Sequence, residues 1–179
     1  MDNYGFVRDK LTIKLLILFI LKRLPAPVSQ GMLTELALID NATNYFDYIE
    51  SLTEMEASGQ VIVAEGKYSI TPQGIRDVTD LESKLPYTVR MKAVTVTDRA
   101  AKILERESMI KTEHSPKAEG GYTVHLSLSD GLGEMLSMDI LAGSEAQAEE
   151  MEARFRKNAE YVYLRIAGML TGEAEGGSE

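Results

Sequence analysis

The sequence predicts a mixed α+β fold, and three observations carry that expectation. Apolar residues recur at helical spacing in four segments before Pro86. Two short β-prone runs, Val61–Glu65 and Tyr68–Thr71, flank Gly66-Lys67 as a hairpin. After Pro86 come a further helical repeat, three strand-like runs and a long helical repeat that ends near Thr171.

Each element has a local reason. Asp9 is placed to cap a first helix over about Asp9–Leu24, with Leu11, Leu15, Leu18 and Leu21 on one face and Ile13, Ile17 and Ile20 widening it. Pro25 and Pro27 push the preceding residues away from the α region and end it. Ser29 caps a second helix, about Gln30–Leu38, with Met32, Leu33, Leu36 and Ala37 inward. Asp40-Asn41 turns the chain into a third helix over about Ala42–Ser58. Its inward face is expected to be Ala42, Tyr45, Phe46, Ile49, Leu52 and Met55, and its outward face Thr43, Asn44, Asp47, Tyr48, Ser51 and Glu54. Gly59 ends that helix and Pro72 opens a fourth, about Pro72–Leu85, anchored by Ile75, Val78, Thr79 and Leu81.

Val89, Ala93, Val96, Ala100 and Leu104 then argue for a helix over about Tyr87–Arg106, against the β-branched run Val94–Thr97. Strands are expected at about Ser108–His114, Tyr122–Ser129 and Glu134–Ala142, with turns at Gly120-Gly121 and Asp130-Gly131. The last helix, about Ser144–Thr171, carries Ala148, Met151, Phe155, Ala159, Val162, Ile166 and Met169 on one stripe. Tyr161, Tyr163, Leu164 and Leu170 exceed what a small sheet needs, which suggests a second subunit. The expected organisation is a unit over 1–85, an α+β dimerisation or sensing unit over 86–171, and an acidic, disordered tail over 172–179.

Composition narrows the chemistry. The 179 residues include no cysteine, so disulfides, thiolate metal sites and a cysteine nucleophile are absent. The near-apolar run Leu15–Leu21 is too short to span a bilayer, and a soluble cytoplasmic protein is the expectation. The formal net charge is −9, shared as −4 over residues 1–85, −1 over 86–143 and −4 over 144–179. No segment is basic, which opposes a nucleic-acid footprint unless a local patch supplies one.

Three helices followed by a short hairpin form the layout of a winged helix-turn-helix. The segment Asp9–Leu85 resembles winged-helix transcription regulators, most closely at Y-S-I-T-P-Q-G, Tyr68–Gly74. The whole chain resembles an uncharacterised family of small bacterial winged-helix proteins labelled predicted transcriptional regulators. The points of similarity are Leu85-Pro86, G-Y-T-V-H-L at Gly121–Leu126 and A-E-Y-V-Y at Ala159–Tyr163.

The resemblance implies an N-terminal winged helix-turn-helix followed by a small domain of helix, three-stranded antiparallel sheet and long helix. It implies a homodimeric regulator that binds double-stranded DNA, the third helix entering the major groove and the hairpin reaching the backbone. The groove-facing residues would be Thr43, Asn44, Asp47, Tyr48 and Ser51, with Lys67 at the wing tip. From Leu24 to Gly66 there is no basic residue against seven acids, Glu35, Asp40, Asp47, Glu50, Glu54, Glu56 and Glu65. That imbalance motivates the alternative, a non-catalytic winged-helix module that contacts proteins through an acidic third helix.

Other candidates are weaker. Lys84, Arg90, Lys92, Arg99, Lys102, Arg106 and Lys111, with Arg8, Lys10 and Lys14, could form a backbone-contacting surface, though a solvated helix face is the plainer reading. His114 and His125 fall on adjacent strands and lack a third ligand for a metal. Ser127, His125 and Asp139 could be nominated as a nucleophilic set, but no G-x-S-x-G elbow orders them. Gly131-Leu132-Gly133 reads as a turn and not as a phosphate loop. No enzyme signature and no cofactor motif is present, and the sequence identifies no effector.

Overall fold

A computed structural model describes residues 9–39 and 44–172. The chain divides into two compact units, Met1–Leu104 and Glu105–Glu179. The class is α+β, with two separate three-stranded antiparallel sheets. The 173–179 tail, the Asp40-Asn41 turn, Ala42, Thr43 and Arg8 lie outside the described residues. No helix among the described residues is long and apolar enough to cross a membrane.

The first unit is built around α1, Lys10–Arg23. Asp9 caps it by accepting from the Thr12 backbone N–H, and the Thr12 hydroxyl holds that carboxyl below its usual range. Eight residues of α1 are buried, Ile13 and Leu15 through Leu21, so the helix is enclosed on nearly all sides. Leu11, expected inward, is instead 52% exposed, because it lies in the first turn, before the chain enters the core.

β1, Val28–Ser29, leads into α2, Gln30–Ala37, which Ser29 caps through the Met32 N–H. α3 runs Tyr45–Ala57 with Asn44 as its cap, and β2, Val61–Ala64, follows. β3, Lys67–Ile70, pairs with both β1 and β2, giving the order β1-β3-β2. The turn of the hairpin is Glu65-Gly66, not Gly66-Lys67: both residues have positive φ, +52° and +73°, as a tight two-residue hairpin loop requires. Lys67 is therefore the first residue of β3, paired with Ala64 and Ser29, and not the tip.

The entry to α4, Pro72–Leu81, explains the T-P-Q-G motif. Thr71 Oγ1 accepts from the Gly74 N–H at 3.2 Å and donates to the carbonyl of Gly59 at 2.7 Å. Pro72 occupies the first turn, where no backbone donor is lost. Gly74 is buried, and a Cβ there would press into the Gln60 carbonyl oxygen and lie 3.0 Å from Leu18 Cδ2. The motif is thus a packing device that brings α4 against the start of β2. The helix ends at Leu81, short of Leu85, and a 3-10 turn, Glu82–Lys84, continues the chain.

α5 spans Tyr87–Ser108. Val89, Ala93 and Ala100 join the core of the first unit, so that unit extends past Pro86. Arg23 fastens it: Nε donates to Thr97 Oγ1 at 3.0 Å and Nη2 meets Asp98 at 2.6 Å.

In the second unit β4, Ile110–Pro116, β5, Tyr122–Ser129, and β6, Glu134–Ala142, pair in sequence order. α6, Glu145–Thr171, lies on one face, with Ala148, Phe155 and Ala159 packed on Ile110, Val124, Leu126 and Leu128. The helix is kinked at Asn158, where φ is −129° and ψ is 21°. Asn158 Nδ2 donates to the carbonyl of Arg154, and Gly172 in the left-handed region ends the helix.

Candidate functional site

The sequence places its candidate site on α3 and the hairpin, and the structure rearranges that surface. Tyr48 and Ser51, expected to face outward, are both fully buried. Tyr45 and Phe46, expected inward, are 48% and 79% exposed. The helix is rotated because α3 packs chiefly on α1, where Tyr48, Leu52 and Met55 enter the core; Tyr48 Oη also lies 3.3 Å from Thr34 Oγ1 of α2. Burial pushes the Tyr48 phenol up to about 12. The Ser51 hydroxyl has no hydrogen-bond partner among the described residues.

The remaining candidates are dispersed. Asn44 is exposed, but its side-chain oxygen is taken by the Phe46 N–H at 2.9 Å as the cap of α3. Asp47 is half-buried, Lys67 is exposed, and Thr43 lies outside the described residues. The outward face of α3 is instead Asn44, Phe46, Glu50 and Thr53, with Glu54 at its edge. Phe46 was missed because the 3.6-residue periodicity of this helix admits two apolar stripes, and packing, chiefly against α1, chooses between them.

The acids of α3 recruit cations from α1. Lys10 reaches Glu50 at 2.9 Å and Glu54 at 2.5 Å, and Lys14 meets Glu54 at 2.6 Å. These lysines hold the Glu54 carboxyl below its ordinary range. Lys10 and Lys14 are therefore balanced by the acids of α3. On α5, Lys92, Arg99 and Lys102 are exposed, interleaved with Tyr87, Met91 and Ile103.

In the second unit the two histidines do not meet. The register sets His125 opposite Glu113 and His114 opposite Val124, so they occupy opposite faces of the sheet. His114 Nδ1 lies 2.7 Å from Glu152 of α6, and His125 Nδ1 lies 2.8 Å from Asp139 on β6. Ser127 is buried on the His125 side and makes no hydrogen bond with it among the described residues, so a nucleophile relay is not assembled. No group of three or more metal-ligating side chains occurs among the described residues. Asp130 accepts from the N–H groups of Leu132 and Gly133, which lowers its carboxyl and leaves those donors unavailable to a phosphate.

Among the cavities of this unit, two adjoin α6. An apolar groove of about 490 Å3 opens between β6 and α6, lined by Leu126, Met138, Ile140, Met151, Phe155 and Val162 among others. Beyond it on α6, Leu164, Met169 and Leu170 are 64%, 62% and 82% exposed. The second cavity, of about 490 Å3, is lined by Arg106, Glu107, Ile110, Ala153, Arg156 and Lys157.

No curated protein and no solved structure matches the chain significantly. A family model does match, over residues 13–170, which takes in every strand and nearly all of the helical length described above. The chain belongs to that family, a domain of unknown function designated DUF4364.

Proposed function

We propose that the chain is a winged helix-turn-helix regulator that acts on double-stranded DNA as a homodimer. The observation that carries this reading is the connectivity of the first unit. Helix, short strand, two helices and a hairpin occur in that order, with β1 completing the sheet beside β3. That arrangement leaves the start of α3 and the Glu65-Gly66 turn exposed together with Lys67, the elements that such a fold presents to DNA. The apolar groove and the exposed end of α6 support pairing, since a two-fold related copy can offer its α6 stripe to each groove.

The contacts differ from the set read from sequence. Asn44 stays on the outward face, Phe46 and Thr53 stand there in place of Tyr48 and Ser51, and Lys67 is the only cation that the hairpin adds. One lysine per wing neutralises about two phosphates in a dimer, so affinity should fall only about tenfold between 50 and 200 mM salt. Fluorescence anisotropy with sheared genomic DNA tests this, and Lys67→Ala should flatten the salt dependence further.

A second reading, a non-catalytic protein-interaction module, is favoured by one specific observation. Phe46 stands 79% exposed beside Tyr45, their rings 6.1 Å apart, on a helix whose neighbouring charges are acids. An exposed aromatic beside the Asp47 carboxylate suits a partner with an apolar, partly basic groove. Absence of DNA binding at both salt concentrations would select this reading.

A further inference from the structure

The basic cavity of the second unit is anomalous in a chain of net charge −9. Its lining holds three cations, Arg106, Arg156 and Lys157, against one carboxylate, Glu107, above apolar atoms of Ile110 and Ala153. Arg156 Nη2 donates to the Thr112 carbonyl at 3.3 Å, which holds its guanidinium at the cavity. Neither Arg156 nor Lys157 forms an ion pair among the described residues. A volume of about 490 Å3 is in the range of small-molecule sites.

Arg106 ties the cavity to the kink in α6. Its guanidinium meets the Glu160 carboxylate at 2.6 and 2.7 Å, and it donates to the carbonyls of Arg156 at 3.1 Å and Lys157 at 3.4 Å. Those carbonyls immediately precede the kink at Asn158. Glu160 therefore occupies, from within the chain, the fork that an external anion would use.

We propose that this cavity binds a small organic anion carrying phosphate or carboxylate groups. Arg156 and Lys157 hold its charge, Ile110 and Ala153 contact its apolar part, and Glu160 competes with it for Arg106. Occupancy then loosens the grip of Arg106 on the kinked segment of α6. The assignment stands independently of whether the first unit contacts DNA.

Isothermal titration of the full chain with pyrophosphate and, separately, with citrate, at constant ionic strength, tests it. One saturable site per chain is expected for at least one probe. Arg156→Ala/Lys157→Ala should weaken it about tenfold or more, a loss of about 1.4 kcal/mol. Lys92→Ala/Arg99→Ala, which removes the same charge from positions on α5 that do not line the cavity, should leave it within about twofold. Glu160→Gln should tighten binding, a gain that mere structural damage would not produce, and circular dichroism verifies that each variant is folded.

Absence of saturable binding by both probes, or equal loss in the two double variants, would overturn the site. Unchanged or weaker binding in folded Glu160→Gln would overturn the competition. Displacement of the probe from the parent chain by short duplex DNA, with DNA binding itself weakened in Arg156→Ala/Lys157→Ala, would overturn the small-anion assignment in favour of backbone phosphate.

Discussion

The two units bury their apolar residues in different ways. In the first, α1 is surrounded, and its buried run from Leu15 to Leu21 leaves little unsatisfied apolar surface on that helix. In the second, one helix covers one face of a three-stranded sheet, and Ile140, Leu164, Met169 and Leu170 remain open to solvent. A core built round an enclosed helix has little room to yield, even though Phe46, Ile62 and Tyr87 leave apolar surface elsewhere in that unit. An open one tolerates change locally but carries an apolar surplus that marks an interaction surface.

Gly74→Ala should break the closed unit most severely. The added methyl group meets the Gln60 carbonyl, a backbone atom that cannot swing aside, and crowds Ile70 and Leu18. Overpacking of this kind should cost about 3 kcal/mol. Urea denaturation should show a lower midpoint with an unchanged slope. A loss below about 0.5 kcal/mol would mean that α4 can shift, and that the core is less closed than its burial pattern implies.

Tyr48→Phe probes the same core more gently. It removes the contact with Thr34 while keeping the ring, at a cost of about 1 kcal/mol near neutral pH. It should also alter the alkaline limb. Burial raises the phenol from 10.0 to about 12, so the folded state holds this proton more tightly than the unfolded chain. That contribution is fully present below about pH 10 and is lost as pH rises through about 12. Stability measured across this window should fall less steeply in the variant than in the parent. Parallel profiles would show that Tyr48 ionises as freely as in the unfolded chain.

How much of this was legible in the sequence depends on whether the signal was local. Asp9 and Ser29 cap their helices as expected, and the strands Tyr122–Ser129 and Glu134–Ala142 have the expected bounds. Caps and alternation act over a few residues, so they can be read without tertiary context. The face of α3 was not legible, since Tyr45-Phe46 and Tyr48-Ile49 give nearly equivalent stripes and Thr34 of α2 helps decide which is inward. The hairpin slipped by one residue because Glu65, not Lys67, takes the second positive φ beside Gly66. The charged cavity was hidden for a different reason. Arg106 is far in sequence from the adjacent Arg156 and Lys157, and only the fold of β4 against α6 brings them together.

The open unit gives the smallest effect on folding and the most direct test of the comparison. Leu164→Lys/Leu170→Lys replaces two exposed side chains, so the stability of a single chain should change by no more than about 0.5 kcal/mol. Self-association should respond strongly, because two lysines per copy would bring four like charges into an apolar contact and demand their desolvation. Analytical ultracentrifugation should find the parent chain dimeric and the variant monomeric at the same concentration. A parent that is monomeric throughout would assign the groove beside β6 to some other partner. A variant that still dimerises would move the subunit contact away from the end of α6. A variant that unfolds would show that these leucines already belong to the core of their own chain, and the contrast between the two units would fail at that point.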